Sequence, residues 1–378
     1  MKKADAKETD RFFMGRALEL AAKGRGSVSP NPLVGAVIVK NGKIIGEGYH
    51  KKIGEHHAEI NALRNAKGSP GGATMYVNLE PCSHEGKTPP CAPAIVEAGI
   101  SRVVVGMRDP NPLVSGRGLR FLRKSGVEVG TGVMAPECRR LNEAFIKYIS
   151  RGEPFVILKG ACSLDGKIAA AGGDSKWISS KESRRDAHRL RAEADAVLVG
   201  IGTVLNDNPR LTCRLPGKNK NPYRVVLDSR LRIKPNCNLV RQSAKDQKTI
   251  IATIKPVPSK KRSRLENLGC LVLELAEGPG GRPDIHDLLL KLFALDVSIL
   301  LVEGGSEVNA SFLKSGAVDK VILYVAPKII GGATAPGLAG GEGIIKVADG
   351  QQLLIDNLSR SGPDIRLEAY PARKKKKR

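Results

Sequence analysis

Two hydrophobic periods run along this chain. In some stretches apolar residues recur every three or four positions, as on an amphipathic helix. In others they alternate or run on continuously, as in half-buried or fully buried strands. Thr9 to Ala22 has the helical period, with a Thr/Asp start and Gly24 just past its end. Val34 to Lys40 and Lys43 to Tyr49 predict two strands, and Asn41-Gly42 between them is strong type I′ hairpin chemistry. Ala58 to Ala66 predicts a helix, Thr74 to Asn78 a strand, and Ala92 to Ala98 a second helix opened by Pro90-Cys91 and closed by Gly99. Arg102 to Met107 reads as a strand, Asp109-Pro110-Asn111-Pro112 as a break, and Leu119 to Lys124 as a helical turn or two. Val127 to Gly130 predicts a short strand and Glu137 to Ser150 one helix.

Arg151-Gly152-Glu153-Pro154 then interrupts the pattern and marks a domain boundary. Beyond it, strands are expected at Phe155 to Ala161, Ala196 to Gly200, Arg224 to Asp228, Thr249 to Thr253, Leu271 to Leu275, Ser298 to Glu303 and Lys320 to Val325. Helices fit Ser180 to Ala194, Ile285 to Leu295 and Glu307 to Leu313. Pro256 and Pro258 break Lys255 to Arg264, which reads as a loop. Strands alternating with helices imply α/β sheets covered on both faces. No internal repeat appears, so the second domain is not a copy of the first. The expected division is 1–150, 151–372 and a basic tail, 373–378.

Composition narrows the class. A chain of 378 residues, 41% hydrophobic, has material for two or three domains with sizeable cores. No apolar run is long enough for a membrane span, and no signal-peptide segment follows the charged start. Seven scattered cysteines make no disulfide framework, so a reducing cytoplasm is the expected compartment. Cys138, Cys162, Cys213, Cys237 and Cys270 read as plain thiols. The net charge is +24, of which six charges lie in Arg373 to Arg378. Its basic runs, such as Lys260-Lys261-Arg262, have no interleaved aromatics, which single-strand binders use as stacking platforms. An anionic small substrate accounts for the charge equally well, and nucleic acid is not the expected partner. The expected assembly is a homo-oligomer.

The chemistry concentrates between His57 and Cys91. His57-Ala58-Glu59 is followed by Pro81-Cys82 and then by Cys91, with eight residues between the two cysteines. One imidazole and two thiolates suit tetrahedral zinc, and three ligands leave a fourth position for water, whose pKa the metal lowers to about 7. His-x-Glu with Pro-Cys and a second Cys is the zinc-deaminase signature, in which the glutamate is a proton shuttle and not a ligand. Residues two apart face nearly opposite sides of a helix, so His57 and Glu59 meet at one ion only if His57 precedes the helix proper. His84 or His56 could instead close a structural site as a fourth ligand, whereas His50 reads as a non-ligand. The simplest signature has Cys-x-x-Cys. Here the longer Pro/Gly-rich loop must fold back to bring both sulfurs together.

A second site is fainter. Glu303-Gly304-Gly305-Ser306 lies between a strand and a helix, where glycines let backbone N–H groups approach a phosphate. The full Gly-x-Gly-x-x-Gly fingerprint is absent, which argues against an ordinary Rossmann site. Gly331-Gly332 and Gly337 to Gly343 read as a lid or simply a loop. Lys159, inside an apolar strand, is either a proton donor or a strand-edge lysine facing water. Arg191 and Arg214 are forked cations suited to a phosphate.

Leu79-Glu80-Pro81-Cys82-Ser83-His84-Glu85-Gly86-Lys87-Thr88-Pro89-Pro90-Cys91, with His57-Ala58-Glu59, resembles the deaminase half of the bacterial bifunctional riboflavin-biosynthesis deaminase-reductases. Lys159 to Gly166, the Trp177 region, Gly202 to Arg214, Asp228-Ser229 and Glu303-Gly304-Gly305 resemble the reductase half of the same family. The resemblance implies a cytidine-deaminase-like three-layer α/β/α domain and a dihydrofolate-reductase-like α/β domain, with a zinc ion and NADPH as cofactors. It implies zinc on His57, Cys82 and Cys91, with Glu59 and Lys159 catalytic. It places NADPH on Ala161, Trp177, Thr203, Asp207, Ser229 and the turn Gly305, Ser306, Glu307, Val308, Asn309, Ala310 and Ser311. The substrate, a phosphoribosylaminopyrimidine, would contact Asn31 in the deaminase, and Ser175, Arg191, Leu211, Arg214 and Glu303 in the reductase. Two rivals stand beside this expectation: a nucleic-acid deaminase whose second domain only binds, and a structural zinc module.

Overall fold

The protein is described here by a computed structural model covering residues 3–83, 89–112, 114–217 and 220–372. Its chain separates into two compact units, Met1–Gly152 and Glu153–Arg378. The basic tail and His84 lie outside the described residues.

The first unit is built on a five-stranded sheet. Its strands are β1 (Gly35–Lys40), β2 (Lys43–Tyr49), β3 (Thr74–Leu79), β4 (Arg102–Met107) and β5 (Glu128–Thr131), in the order β2-β1-β3-β4-β5. β1 is antiparallel to β2 and β3, while β3, β4 and β5 are parallel. The hairpin between β1 and β2 turns on Asn41 and Gly42, both at positive φ, as a type I′ turn requires. Val37, Ile38, Met75, Val77 and Val103 to Val105 are fully buried on this sheet. Helix α1 (Lys3–Ala22) packs on β1 and β3, and α2 (Ala58–Arg64) on β2 and β1. Next come α3 (Cys91–Glu97), α4 (Arg117–Lys124), α5 (Ala135–Leu141) and α6 (Glu143–Arg151). α1 starts at Lys3 and not at Thr9, because a polar first stretch carries no apolar period to read.

The single helix expected over Glu137 to Ser150 is in fact two, α5 and α6, divided at Asn142. That side chain is buried. Its oxygen accepts from the Leu33 N–H at 2.8 Å and its amide donates to the Leu33 carbonyl at 3.0 Å. This pair of bonds ties the junction of the two helices to the chain just before β1.

The second unit has nine strands in one sheet. They are β6 (Phe155–Ser163), β7 (Ala196–Gly200), β8 (Tyr223–Leu227), β9 (Thr249–Ile254) and β10 (Leu271–Leu275), then, after a small separate pair β11 (Glu277–Gly278) and β12 (Arg282–Pro283), β13 (Ile299–Val302), β14 (Lys320–Ala326), β15 (Leu353–Ser361) and β16 (Asp364–Pro371). The order is β10-β9-β8-β7-β13-β6-β14-β16-β15. All neighbours from β10 to β14 are parallel, and β16 and β15 add on antiparallel. Parallel strands are covered by helices, here α7 (Lys181–Glu193), α8 (Ile201–Asp207), α9 (Asn238–Asp246), α10 (Ser259–Asn267), α11 (Ile285–Phe293) and α12 (Ser306–Lys314).

Three differences from expectation have plain causes. Lys255 to Arg264 is not all loop, because Pro258 is the residue before α10, where proline starts a helix instead of breaking one. β15 and β16 escaped notice because β15 is exposed along nearly its whole length and has no buried face to impose a pattern. β6 lies between β13 and β14, so Lys159 stands on an interior strand and not at a sheet edge.

Candidate functional site

In the first unit, two helix starts and one strand end converge. His57 is the last non-helical residue before α2, with φ −68° and ψ 165°. It therefore points with, and not away from, the buried Glu59 one residue into the helix. Cys82 follows the end of β3, and Cys91 opens α3 behind Pro90. The loop folds back as the spacing demands: the Cys91 N–H lies 3.4 Å from the Cys82 sulfur, and the Ala92 N–H donates to the Cys82 carbonyl at 3.0 Å.

His57 Nδ1 lies 3.3 Å from Cys91 Sγ and 3.5 Å from Cys82 Sγ. All three donor atoms lie within 4.8 Å of one another, and among the described residues they form the one such cluster. Tetrahedral zinc, with bonds of about 2.0–2.1 Å to nitrogen and 2.3 Å to sulfur, places such ligands roughly 3.5 Å apart, so the donor set fits that ion. His56 is exposed, outside the cluster. The hydrogen bond with Cys91, and the neighbouring His57, pull the Cys82 thiol down to about 4, while the same bond and burial push Cys91 up. Burial, reinforced by Cys82, pushes the Glu59 carboxyl up to about 7.

The cluster opens into a cavity of about 360 Å³. Asn31 lines it, with its amide 3.3 Å from His50 Nε2. His50 is buried, its ring 5.6 Å from that of His57 and its Nδ1 3.2 Å from the His56 carbonyl. Sequence reasoning missed Glu80, Asp109, Asn111, Phe145 and Tyr148 in this wall. Glu80 stands in the Leu79 to Cys91 run and Asp109 and Asn111 in the Asp-Pro-Asn-Pro break, but neither stretch by itself marks them as pocket residues.

The second unit assembles a different kind of site. Arg191 on α7 grips Glu303, at the end of β13, with two bonds of 2.7 and 2.8 Å. Burial works to raise the Glu303 carboxyl, but this guanidinium, with Lys159 and His188, holds it down at about 2. Burial lowers the Lys159 ammonium, against the pull of Glu303. Its Nζ stands 5.7 Å from the Tyr324 ring centre. His188, three residues before Arg191 and so on the same helix face, accepts from the Arg214 N–H at 3.3 Å. Burial, Arg191 and Arg214 push His188 down to about 4. The sequence held no separate signal for His188.

The remaining candidates are more dispersed. Trp177 is 64% exposed, with the Arg184 guanidinium 4.4 Å over its ring. Ser175 is half-buried, and Asp207 lies 3.9 Å from Lys176. Ala161 and Thr203 are half-buried at the end of β6 and on α8. The Ser229 carbonyl accepts from Thr253. Leu211 is buried in the core with Val204 and Leu231. Gly305 precedes α12, which carries Ser306, Glu307, Val308, Asn309, Ala310 and Ser311. The glycine-rich stretch is fastened to that turn: the Gly340 and Gly341 N–H groups donate to the Ser306 carbonyl and to Glu307, and Asn309 donates to the Leu338 carbonyl. Among the described residues two buried acceptors lack a hydrogen bond: Asn309 Oδ1, and Asp228 Oδ1, which is next to Ser229 and has the Arg232 guanidinium 3.8 Å away. The Asn309 acceptor, on the helix start behind Gly304-Gly305, is of the kind a polar ligand's N–H would satisfy, so this turn fits a dinucleotide.

Comparison with known proteins agrees in both units. Residues 7–107 match the cytidine and deoxycytidylate deaminase zinc-binding region, and residues 154–367 the RibD C-terminal domain. The chain is 46% identical to riboflavin biosynthesis protein RibD of Actinobacillus pleuropneumoniae, over 95% of each chain. It is 44% identical to that of Bacillus amyloliquefaciens, over 96% of each. Among solved structures it is similar to Acinetobacter baumannii RibD, with a TM-score of 0.87 and 37% identity over 97% of this chain and all of that one. It is also similar to a diaminohydroxyphosphoribosylaminopyrimidine deaminase/5-amino-6-(5-phosphoribosylamino)uracil reductase from Thermotoga maritima, with a TM-score of 0.84 and 38% identity over 97% and 100%. The chain belongs to the RibD family of bifunctional riboflavin-biosynthesis enzymes, a zinc-site deaminase of the cytidine-deaminase fold joined to a reductase of the dihydrofolate-reductase-like fold.

Proposed function

We propose that the first unit hydrolyses the amino group from a diaminohydroxyphosphoribosylaminopyrimidine, and that the second reduces the ribosyl chain of the resulting aminouracil to ribityl with NADPH. The observation that supports this most is the spacing of His57, Cys82 and Cys91 around one point, with the buried Glu59 beside it. Zinc, when bound there, supplies a Lewis acid and an acidified water. Glu59 takes a proton from the attacking water and passes it to the departing amine, so that oxygen replaces nitrogen on the ring carbon and ammonia leaves. Asn31 holds the pyrimidine's polar edge, steadied by His50.

In the second unit NADPH supplies hydride when bound, held by Ala161, Trp177, Thr203, Asp207, Ser229 and the turn Gly305 to Ser311. Lys159 delivers the proton to the sugar oxygen as carbon is reduced; burial makes its ammonium a better acid. Glu303, fixed by Arg191, and Ser175 orient the sugar, Leu211 backs the pocket, and the exposed Arg214 meets the phosphate.

The assembly we infer is a homo-oligomer. β15 ends the sheet with Leu354, Ile355 and Leu358 each more than 60% exposed, and an unpaired apolar edge invites another strand. A single-sized monomer by light scattering contradicts it. The cytoplasm is the compartment we infer, since the seven cysteines are all free and no helix among the described residues is long and apolar enough to cross a membrane.

Incubating the zinc-loaded protein with the diaminopyrimidine, with and without NADPH, tests the whole scheme by mass spectrometry. The deaminated product is expected without NADPH, and the ribityl product only with it. Cys82→Ser and Cys91→Ser are each expected to lose zinc.

A further inference from the structure

We propose that Glu80 is a positioning residue of the deaminase: it ties the pocket-lining residues Asp109, Asn111 and Val114, and the start of α4, to the strand end that carries the ligand Cys82. The inference rests on the deaminase reading above.

Glu80 directly follows β3, two residues before Cys82, and its side chain is buried. Both oxygens are occupied by backbone N–H donors from a single later segment. One oxygen accepts from Gly116 at 2.9 Å and Asp109 at 3.3 Å. The other accepts from Gly118 at 3.1 Å and Leu119 at 3.3 Å. Gly116 is the residue before α4, at φ +76°, and α4 has no side-chain cap of its own. The first N–H groups of a helix have no partner within it. Here a carboxylate brought in from β3 satisfies two of them, and negative charge is favoured at that end of a helix.

The same contact is tight from the other side. A Cβ on Gly118 would lie 2.0 Å from the Pro81 carbonyl oxygen, so only glycine lets α4 approach the Glu80-Pro81-Cys82 stretch. Asp109, Asn111 and Val114 line the same cavity as His57, Glu59 and Cys82. A serine or aspartate at position 116 would cap α4 locally. Only an acceptor on the strand that leads to Cys82 also fixes where Asp109, Asn111 and Val114 stand relative to the metal ligand. That is the reason to assign Glu80 to the pocket and not to helix stability alone.

Glu80→Gln keeps size and polarity but turns an NH₂ group toward two N–H donors. In zinc-loaded full-length protein, the deaminase KM is expected to rise roughly ten- to hundredfold, with a smaller change in kcat, as misplacement of a binding wall does. Zinc is expected to stay near one per chain, and reduction of the deaminated aminouracil to be unchanged. Amide hydrogen exchange is expected to speed up at residues 109–119, a readout that needs no deaminase turnover. Gly118→Ala presses on the same contact without touching the carboxylate and is expected to raise KM likewise; it also serves if Glu80→Gln does not fold. Unchanged exchange at 109–119, a KM within twofold of wild type in both variants, or loss of zinc from Glu80→Gln would each overturn the proposal. A wild-type protein that binds zinc but deaminates nothing would instead sink the reading it rests on, while the exchange result still stands or falls alone.

Discussion

The two units solve the problem of fixing reactive groups in opposite ways. In the first, His57, Cys82 and Cys91 come from element ends close in sequence, and their shared claim on one ion holds them together. In the second, Lys159, Arg191 and Glu303 come from a strand, a helix and a strand end far apart in the chain, and opposite charges hold them, while Arg214 stands in a loop fixed by its backbone. A metal needs unusual donors at narrow spacing, so it leaves a short, distinctive motif. An electrostatic site uses common residues, whose partners are set only by the sheet order. Removing one group should accordingly do different things in the two places.

The largest expected effect is at Glu59. If it moves protons without holding metal, Glu59→Gln should cut deamination by roughly 10³–10⁴, near the top of what an acid–base group contributes. Zinc content by elemental analysis should remain near one per chain, and the reductase assay should be unaffected. Loss of metal would place Glu59 among the ligands and break the contrast.

Next comes Lys159. Lys159→Met should lower reduction by about 10²-fold. If Lys159 is the proton donor, it acts in its ammonium form. Burial lowers its pKa, so reductase activity should fall as pH rises through a value below the ordinary lysine range. The pH profile of kcat should lose that basic limb in Lys159→Met. A limb that persists there belongs to another group.

How much could be read in advance follows the same contrast. The non-helical setting of His57 and the Asn41-Gly42 hairpin were legible because each depends on residues within a few positions of one another, and the zinc triad because its donor types form a distinctive motif. The walls of the deaminase cavity were not: Glu80 and Asp109 meet only because β3 and β4 pair in parallel. The Arg191–Glu303 pair was invisible for the same reason, although each residue had been singled out. Arg191 spends two of its donors on that carboxylate, whereas Arg214 is exposed, so a phosphate role proposed for the two should fall mainly on Arg214. β15 was unreadable because neither face is buried.

The paired charges of the second unit should also appear as stability. Glu303→Ala leaves the Arg191 guanidinium in a largely buried place without its partner, which should cost about 3 kcal/mol in urea unfolding. The pH dependence sharpens this. The folded carboxyl is held at about 2, below its value in an unfolded chain. Its stabilising contribution is therefore complete above the unfolded value and is lost as pH falls through about 2. Glu303→Ala should flatten that part of the acid-unfolding curve. An unchanged curve would mean that the pair does not organise the unit.

The smallest effects separate one cation of the second unit from the basic tail. Arg214 is exposed and fixed through its backbone N–H to His188, which leaves its guanidinium available for a phosphate. Lysine keeps the charge but not the planar fork, so Arg214→Lys should raise the reductase KM a few-fold with kcat little changed. Deleting Arg373 to Arg378 removes six positive charges, a far larger change in net charge. Exposed charges are nevertheless screened over about 8–10 Å at physiological salt, so both activities should stay within about twofold of wild type. NADPH absorbance followed against substrate concentration in one buffer decides between them. If truncation weakens substrate binding as much as Arg214→Lys does, the reductase depends on its overall field and not on placed groups, and the distinction drawn between the two units is smaller than their geometry suggests.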